Sequence, residues 1–409
     1  MSHLLGRVSP GMIRSARYLL QPTKGQAQRL DHLLWQQRKL YNAALAERKE
    51  AWEKEHRSVT RFEQFSGLNG MAITTPNLAQ YGTVVARGTL TRLDLAYQAF
   101  FRRCRTGDTP GHPRFKGRFR WDSVSYPDIS GWKLDPESGR LYLLGVGHIR
   151  VKMHRALPGR PKTITVKREG RRWWVSVSCD QVEPQPLVPT GRQVGIDLGV
   201  SSLLTTSKGE HLANPRFTNR AAERLAVAQQ DLARKKRGSK RRSKAVQRVA
   251  AQHRKVANCR RDHAHQVSRR LIDSFDLIAH ENLAIPNMVR SASGTIENPG
   301  TNVAAKRGLN RSIQDAGWGQ LLQFLTYKAE DAGREVIGVD PRNTSRTCSA
   351  CGHCEAGNRL SQAVFRCLVC GHTAHADENA AVNILRAGLA LRLSRQAGEV
   401  QREVTGLVA

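Results

Sequence analysis

One stretch, residues 194–200 with the sequence VGIDLGV, decides how the second half of the chain folds. It is apolar except for Asp197, and a glycine lies on each side of the acid, so it predicts a buried strand that the chain leaves just after the acid. A carboxylate that emerges from an apolar strand loses hydration, which costs free energy unless a partner compensates for it. Asp197 is therefore predicted to have a partner or a cation, within a domain that mixes strands and helices.

Two further acids stand in comparable positions. Glu281 lies towards the end of the apolar run 277–283 (LIAHENL), and Asp377 opens a helical segment that begins DENAA. Hard divalent cations select oxygen ligands, so three acids that lie far apart in the sequence can converge on them. Asp197, Glu281 and Asp377 would then hold two Mg²⁺ ions, which activate a water and stabilise the leaving oxygen in phosphodiester hydrolysis.

The spacing alone leaves other assignments open. Asp315 and Asp340 are alternative candidates for metal ligands, because their local sequences are as favourable for this role as those of the three acids above. An acid at a strand end or at a helix start is also more often structural than catalytic, because its carboxylate can cap backbone N–H groups.

The cysteines are concentrated in one place, since five of the eight lie between residues 348 and 370. An internal repeat, CSACGH at 348–353 and CLVCGH at 367–372, places two C-x-x-C pairs at the spacing of a structural four-thiolate zinc site. The glycine after each second cysteine permits the backbone turn that such knuckles need. Cys354 offers a rival pair with Cys351 but has no counterpart in the second knuckle. The predicted zinc ligands are Cys348, Cys351, Cys367 and Cys370.

The bulk composition indicates a folded and strongly basic protein. The chain has 409 residues, of which 39% are hydrophobic, and a formal net charge of +32. This length suggests roughly two or three domains, and this charge is tolerated best when the working partner is a polyanion. No run approaches the roughly 18 apolar residues of a membrane span, no secretory signal is recognisable, and clustered cysteines favour a metal site in a reducing cytoplasm. We therefore expect a cytoplasmic protein that binds nucleic acid and no membrane.

Two stretches are candidates for contact with nucleic acid. Residues 113–118 (PRFKGR) mix cations with an aromatic side chain, as surfaces that bind a nucleic-acid backbone do, although a solvated loop explains them equally well. Residues 234–270 carry one stripe of apolar or small residues on a helix that is otherwise rich in Arg and Lys, and this unbalanced charge favours a polyanion. The candidate residues are Arg114, Lys116, Lys235, Lys236, Arg241, Arg242 and Lys244.

Local patterns predict the remaining elements. A strand over 13–20 precedes the capping box of Thr23 and Gln26, which opens a helix, and a second helix is predicted over 82–103. Short alternating runs between 111 and 180 predict a small β-barrel. The later predictions are a proline-marked linker over 184–189, a strand over 276–283, a mobile loop over 286–310, a helix over 313–332 and a strand over 334–340.

Three motifs resemble those of the TnpB family: GIDLG around Asp197, ENL from Glu281 and HADENAAVNIL around Asp377. The zinc knuckles stand just before the third motif, as they do in that family. The resemblance covers about residues 12–390. Further segments that resemble the family are 96–103, 113–116, 312–319 and 343–352.

Two positions depart from the family pattern. Asn282 stands where members often have Asp, and Ala376 stands where many have Arg. Neither change removes a metal ligand, so neither indicates an inactive enzyme.

The resemblance implies an α/β multidomain protein. It would combine an RNase H-like (RuvC) nuclease, which contains an inserted zinc-knuckle module, with a small β-barrel wedge domain that carries a helical recognition insertion. The resemblance implies that the first half contains a first wedge strand at 12–24, a helical recognition lobe at 25–105 and the wedge β-barrel at 106–185. The nuclease would follow at 191–395, with a tail at 396–409. Within the nuclease, the implied insertions are a basic helical segment at 217–270 and the zinc-knuckle module at 341–373.

TnpB proteins are transposon-encoded, RNA-guided DNA endonucleases related to the type V CRISPR effectors. The resemblance implies a guide RNA and a double-stranded DNA target as partners, Mg²⁺ at the three carboxylates, structural Zn²⁺ at the four cysteines and cleavage at a single RuvC-like site. The RNA would determine the target sequence by base pairing, while the protein would contact nucleic-acid backbones and recognise the shape of the duplex. Two alternatives stay open: an RNA-guided DNA-binding protein with little cleavage, and a transposase that acts on insertion-sequence ends.

Overall fold

The computed structural model describes residues 12–74, 80–295 and 297–406, and the chain divides into two compact units between Glu183 and Pro184. Each unit has a sheet and a hydrophobic core of its own. Within the described residues, no helix has both the length and the apolar character that crossing a membrane requires. The expected α/β organisation in more than one domain is confirmed at this level.

The first unit contains seven strands: β1 (Met12–Gln21), β2 (Ser123–Tyr126), β3 (Trp132–Asp135), β4 (Arg140–Leu143), β5 (Gly147–Lys152), β6 (Arg160–Glu169) and β7 (Arg172–Val182). They form one antiparallel sheet in the order β2-β6-β7-β1-β5-β4-β3. Along β7 the buried side chains are those of alternate residues, including Trp173, Val175 and Val177, because successive side chains of a strand point to opposite faces. The predicted strand over 13–20 lies within β1, and the runs predicted as a small barrel supply the other strands of this sheet.

Three described helices follow β1: α1 (Lys24–Glu55), α2 (Arg61–Thr74) and α3 (Thr83–Arg105). The predicted capping box opens α1, since the Thr23 hydroxyl accepts the Gln26 N–H and the Gln26 side chain accepts the Thr23 N–H. The predicted helix over 82–103 is α3. Leucines of α1 and α3, such as Leu33 and Leu93, are fully buried in the same core as the inner face of the sheet.

The second unit contains a sheet of five strands: β8 (Gln193–Leu198), β9 (Ser202–Thr206), β10 (His211–Ala213), β11 (Leu277–Glu281) and β12 (Glu335–Val339). Their order is β10-β9-β8-β11-β12. The strands β8, β11 and β12 are parallel, whereas β9 is antiparallel to β8 and to β10. Residues of β8 and β11 are buried on both faces, which explains why both strands are almost continuously apolar in sequence.

The helices of the second unit are α4 (Phe217–Arg220), α5 (Ala222–Ala233), α6 (Lys240–Ser274), α7 (Ile285–Met288), α8 (Val303–Ala316), α9 (Trp318–Ala332) and α10 (Ala376–Gly406). Two predictions are wrong here. The loop predicted over 286–310 begins within the short helix α7 and is helical again from Val303 onwards. The single helix predicted over 313–332 is two helices, because Gly317 adopts a left-handed φ of +71° that ends α8 and precedes α9.

The start of α10 lies directly against the centre of this sheet. A Cβ atom built on Gly195 of β8 would collide with the carbonyl oxygen of Ala381 and would lie 2.7 Å from the backbone nitrogen of Leu385. A Cβ on Gly388 would lie 2.6 Å from the Cβ of Ala279 in β11. The absence of side chains at these two glycines therefore permits α10 to approach both strands closely.

We expect Gly195→Ala to lower the free energy of unfolding of the second unit by about 1–3 kcal/mol, the usual cost of overpacking a core. Gly308→Ala is the matched control, because a Cβ on Gly308 in α8 meets nothing within 4 Å. That control should be neutral or stabilising by roughly 0.5–1 kcal/mol, since alanine loses less entropy than glycine in a helix. Urea unfolding of both variants measures the difference, and equal stabilities would contradict the close approach of α10 to β8.

Candidate active site and metal centres

Asp197, Glu281 and Asp377 are brought together by the sheet and by α10. Asp197 is the penultimate residue of β8, and Glu281 is the last residue of the neighbouring parallel strand β11. Because the register pairs His280 with Ile196, the two acids follow side by side at the same edge of the sheet. Asp377 is the second residue of α10, and its charge and that of Glu281 both act on Asp197.

Burial makes this cluster electrostatically costly. Loss of hydration raises the pKa of Asp197 to about 7, and the charges of Glu281 and Asp377 add to the effect while Arg359 opposes it. Burial also raises the pKa of Glu281, against the opposing effects of Thr344 and Arg359. Two neighbouring, partly buried carboxylates such as Asp197 and Glu281, whose pKa values are raised, are suited to divalent cations, which favour the ionised form.

The spacing of the three carboxylates is wider than that of the cysteines described below. They do not appear among the groups of described residues whose ligand atoms all lie within 4.8 Å of one another. A site for two cations, which lie roughly 3.5–4 Å apart in two-metal enzymes, needs a wider spacing than a single ion does.

Two side chains that the sequence analysis missed contact the acids. The Thr344 hydroxyl donates a hydrogen bond to Glu281 Oε1, and Nη2 of Arg359 lies 3.4 Å from Asp377 Oδ1. Thr344 lies within the segment 343–352 that resembles the family, but no sequence pattern indicated that its hydroxyl would contact Glu281. Arg359 lies in an irregular segment between the two knuckles, and it belongs to no motif that would have indicated a contact with Asp377.

The rival acids are satisfied by other partners. Asp315 is buried and accepts hydrogen bonds from the backbone N–H and the hydroxyl of Thr218, with Nη2 of Arg260 at 3.1 Å. Asp340 accepts hydrogen bonds from the backbone N–H and the side chain of Arg342, which lower its pKa. Neither acid contributes to the raised pKa of Asp197.

The four predicted cysteines form a cluster in which all Sγ atoms lie within 4.8 Å of one another. The two knuckles have the same backbone hydrogen bonds, since Cys348 N–H donates to His353 O and Cys367 N–H donates to His372 O. The glycines after the second cysteines have φ values of +81° and +72°, as the turn requires. Cys354 is not part of the cluster. The cluster fits a zinc-binding module.

Two asparagine side chains connect the first knuckle to α10. Asn379 Oδ1 accepts the Ser349 N–H at 2.8 Å, and Asn379 Nδ2 donates to Thr347 O at 2.8 Å. Asn383 Nδ2 donates to the carbonyl oxygens of Thr344 and Thr347 at 2.9 and 2.7 Å. These bonds hold the segment that carries Thr344 against the helix that carries Asp377.

The predicted nucleic-acid candidates near residue 114 lie in the segment between α3 and β2. Arg114 is exposed. Lys116 is anchored through its backbone, since its N–H donates to Asn42 Oδ1 at 2.8 Å and its carbonyl oxygen accepts from Asn42 Nδ2 at 3.1 Å. The segment is thus attached to α1 with Arg114 facing solvent.

The other candidates lie in the second unit, around the start of α6. Arg242 differs from the rest, because its guanidinium donates to the carbonyl oxygens of Leu232 and Lys235 and so holds the α5–α6 turn. Lys235 pairs with Asp231 at 2.9 Å. The exposed candidates in this set are Lys236, Arg241 and Lys244.

Three family models match parts of the chain. They are described as a Cas12f1-like TNB domain at residues 318–384, a "Probable transposase" at 176–292 and a helix-turn-helix domain at 12–57. In the last of these ranges the structure has one strand and one long helix, β1 and α1.

Curated relatives match over most of the chain. The chain is 38% identical over 302 residues to InsQ of Escherichia coli (strain K12), a match that spans 74% of this chain and 73% of the relative. It is 32% identical over 398 residues to a protein of Streptomyces pristinaespiralis, across 95% of this chain and 93% of the relative. Both relatives carry the name of an RNA-guided DNA endonuclease.

Among solved structures, a Cas12f1 protein in complex with sgRNA and target DNA superimposes with a TM-score of 0.52. The superposition covers 88% of this chain and 82% of that protein at 15% sequence identity. At this identity the likeness concerns the fold alone.

The pKa of Asp197 leads to a prediction about stability and pH. A carboxyl whose pKa is raised from 3.8 to about 7 by folding favours the folded state in its protonated form, and this contribution is lost as pH rises through 7. In Mg²⁺-free buffer at pH 8, Asp197→Asn should therefore raise the midpoint of thermal unfolding, by about 2–4 °C for each kcal/mol of relieved penalty. The gain should shrink as the pH is lowered from 7 towards 4.

Asp315→Asn is the matched control for this experiment. Because Asp315 accepts hydrogen bonds from Thr218 and pairs with Arg260, its replacement should lower the midpoint of thermal unfolding at pH 8 and also at pH 6. Calorimetry of both variants and of the unaltered protein gives the comparison. An Asp197→Asn variant that is less stable than the unaltered protein at pH 8 would show that burial does not penalise this charge.

Proposed function

The chain belongs to the TnpB family, and we propose that it is an RNA-guided DNA endonuclease that cuts its target at a single site lined by Asp197, Glu281 and Asp377. The observation that carries this proposal is the meeting of three partly buried acids from β8, β11 and α10, with the pKa of Asp197 raised to about 7. The RNA guide and the DNA target are proposed because the names of the relatives include them.

The second unit is proposed to be an RNase H-like (RuvC) nuclease. Its sheet begins with three antiparallel strands and continues with two strands parallel to the first, and the acids lie at the ends of the first and fourth strands and at the start of the last helix. This arrangement supports the assignment of residues 191–395 to the nuclease, with a basic helical insertion at 217–270.

The three carboxylates would hold Mg²⁺, and bound Mg²⁺ supplies an activated water and neutralises charge on the leaving oxygen. The chain's own contribution is to orient the oxygen ligands. Thr344 fixes one oxygen of Glu281, and Arg359 lies beside Asp377, where it offsets part of the negative charge. The rigid parallel strands keep Asp197 and Glu281 adjacent without any loop movement.

The four cysteines are proposed to bind structural Zn²⁺ within a module at 341–373. A tetrathiolate site has no open coordination position, so it would stabilise the segment that carries Thr344 and Arg359 and would take no part in the cleavage step. Reduced, metal-binding cysteines of this kind support a cytoplasmic location.

The guide RNA and the target DNA are proposed to contact the basic surfaces of both units. The net charge of +32 and the exposed cations Arg114, Lys236, Arg241 and Lys244 support this assignment. In the first unit, the β-sheet would act as the wedge, with the helices at 25–105 as the recognition lobe.

A transposase is the second candidate, because the family model that covers residues 176–292 is described as one. Strand transfer can use the same carboxylates as hydrolysis, so the site geometry does not separate the two activities. Dependence of cutting on a guide RNA separates them, because a transposase reads the insertion-sequence ends themselves.

The experiment supplies the full chain with RNA from its own locus that carries one of two guide portions, together with one of two DNA targets, in all four combinations with Mg²⁺. We expect cutting only in the two matched combinations, because base pairing and not the protein reads the sequence. Cutting that ignores the guide, or that proceeds fully in RNA-free protein, would contradict the proposal and favour the transposase.

The same assay tests the carboxylates. Asp197→Ala, Glu281→Gln and Asp377→Ala should each lower the cleavage rate at least about a thousandfold, since metal ions contribute several kcal/mol of transition-state stabilisation. RNA-dependent DNA binding in gel shifts should persist. Asp340→Ala is the matched control, because Asp340 pairs with Arg342 outside the cluster, and it should cut normally.

A further inference from the structure

A second group of potential metal ligands lies beside the carboxylates: His211 of β10, His375, and Glu378 of α10. His375 is the last residue of a short strand, β13 (Thr373–His375), that leads into α10. One ligand atom of each residue lies within 4.8 Å of the other two. Nε2 of His211 is 2.8 Å from Oε1 of Glu378, and the centroids of the two imidazole rings are 4.6 Å apart.

The cluster is not explained by packing in a core. The side chains of His211 and Glu378 are 32% and 37% exposed, so solvent and ions reach them. His211 of β10 is distant in the sequence, and it nevertheless meets His375 and Glu378, which lie three residues apart where β13 leads into α10. An ion pair between His211 and Glu378 and a 3.3 Å hydrogen bond from the Asp377 N–H to Nδ1 of His375 account for two contacts. They do not account for the convergence of both imidazole rings on one carboxylate.

The surroundings of His211 favour coordination. Nδ1 of His211 lies 3.2 Å from the hydroxyl of Thr205 on β9, which fixes the ring and leaves Nε2 facing Glu378. Metal-binding histidines commonly have such a partner on the ring nitrogen that does not bind the metal, because it selects the tautomer and orients the ring. A Cβ on Gly209, in the β9–β10 turn, would lie 3.7 Å from Oε2 of Glu378, so the turn lies close against the carboxylate without a side chain in the way.

We propose that His211, His375 and Glu378 bind a divalent transition metal, with zinc as the expected ion, at a site separate from both the four cysteines and the three catalytic carboxylates. Two imidazoles and one carboxylate are a ligand set that zinc accepts, whereas Mg²⁺ prefers oxygen ligands and water. Three protein ligands leave a fourth tetrahedral position for a water or a phosphate oxygen. The ion would tie β10 and β13 to the first turn of α10, one residue beyond Asp377. The proposal does not depend on the nuclease activity.

The test counts zinc ions in the full-length protein. The protein is equilibrated with Zn²⁺ in the presence of excess Mg²⁺, which occupies the carboxylates, and bound zinc per chain is measured by mass spectrometry after free ions are removed. We expect two zinc ions per chain in the unaltered protein. His211→Gln and His375→Gln should each bind one, and the remaining ion shows that the cysteine module is still folded.

Three matched variants locate the ions. His353→Gln changes another partly exposed histidine, which lies 3.0 Å from Glu355, and should leave two ions bound. Cys354→Ser should also leave two, because Cys354 lies outside the cysteine cluster. Asp197→Asn should leave two as well, because the second zinc ion does not lie among the catalytic carboxylates.

One zinc ion in the unaltered protein would overturn the proposal, and so would two ions in both histidine variants. Loss of the second ion in Asp197→Asn with retention in His211→Gln would place the ion at the carboxylates and would equally overturn it. None of these outcomes depends on cleavage, so the result stands apart from the test of the proposed function.

Discussion

The mutual repulsion of three partly buried carboxylates is the constraint on which the second unit depends. Burial already disfavours the charge on Asp197, and Glu281 and Asp377 add to that penalty. The fold maintains this arrangement because β8 and β11 are central strands with apolar residues on both faces, and because α10 lies so close to them that glycines are needed at 195 and 388. Without a cation the arrangement costs stability, and bound cations at the proposed site would offset that cost.

The cysteine module has a role in this arrangement, although it supplies no catalytic carboxylate. The residues that contact Glu281 and Asp377 directly, Thr344 and Arg359, both come from the segment around the first knuckle. Asn379 and Asn383 of α10 bind the backbone of the same segment. A structural metal at the cysteines would therefore fix the orientation of the acids at a distance, which gives a physical reason for its position just before the third acidic motif.

The sequence was informative where local chemistry decides the structure. The capping box at Thr23, the apolar strands around Asp197 and Glu281, and the repeated C-x-x-C-G-H pattern all predicted what the structure contains. It was uninformative where distant residues meet, as in the contacts of Thr344 and Arg359 and in the cluster around His211, because no local pattern encodes them. The helix break at Gly317 was missed because a single glycine is tolerated in many helices, and only its left-handed φ ends α8.

Proton release on Mg²⁺ binding tests the raised pKa of Asp197 more directly than any loss of activity does. If burial and repulsion hold the pKa of Asp197 near 7, Mg²⁺ must displace a proton from it at pH 6 and much less at pH 8.5. Isothermal titration of the protein with Mg²⁺ in two buffers of different ionisation enthalpy measures this release. We expect proton release at pH 6 that is lost in Asp197→Asn. No release at pH 6, or the same release in the variant, would contradict it.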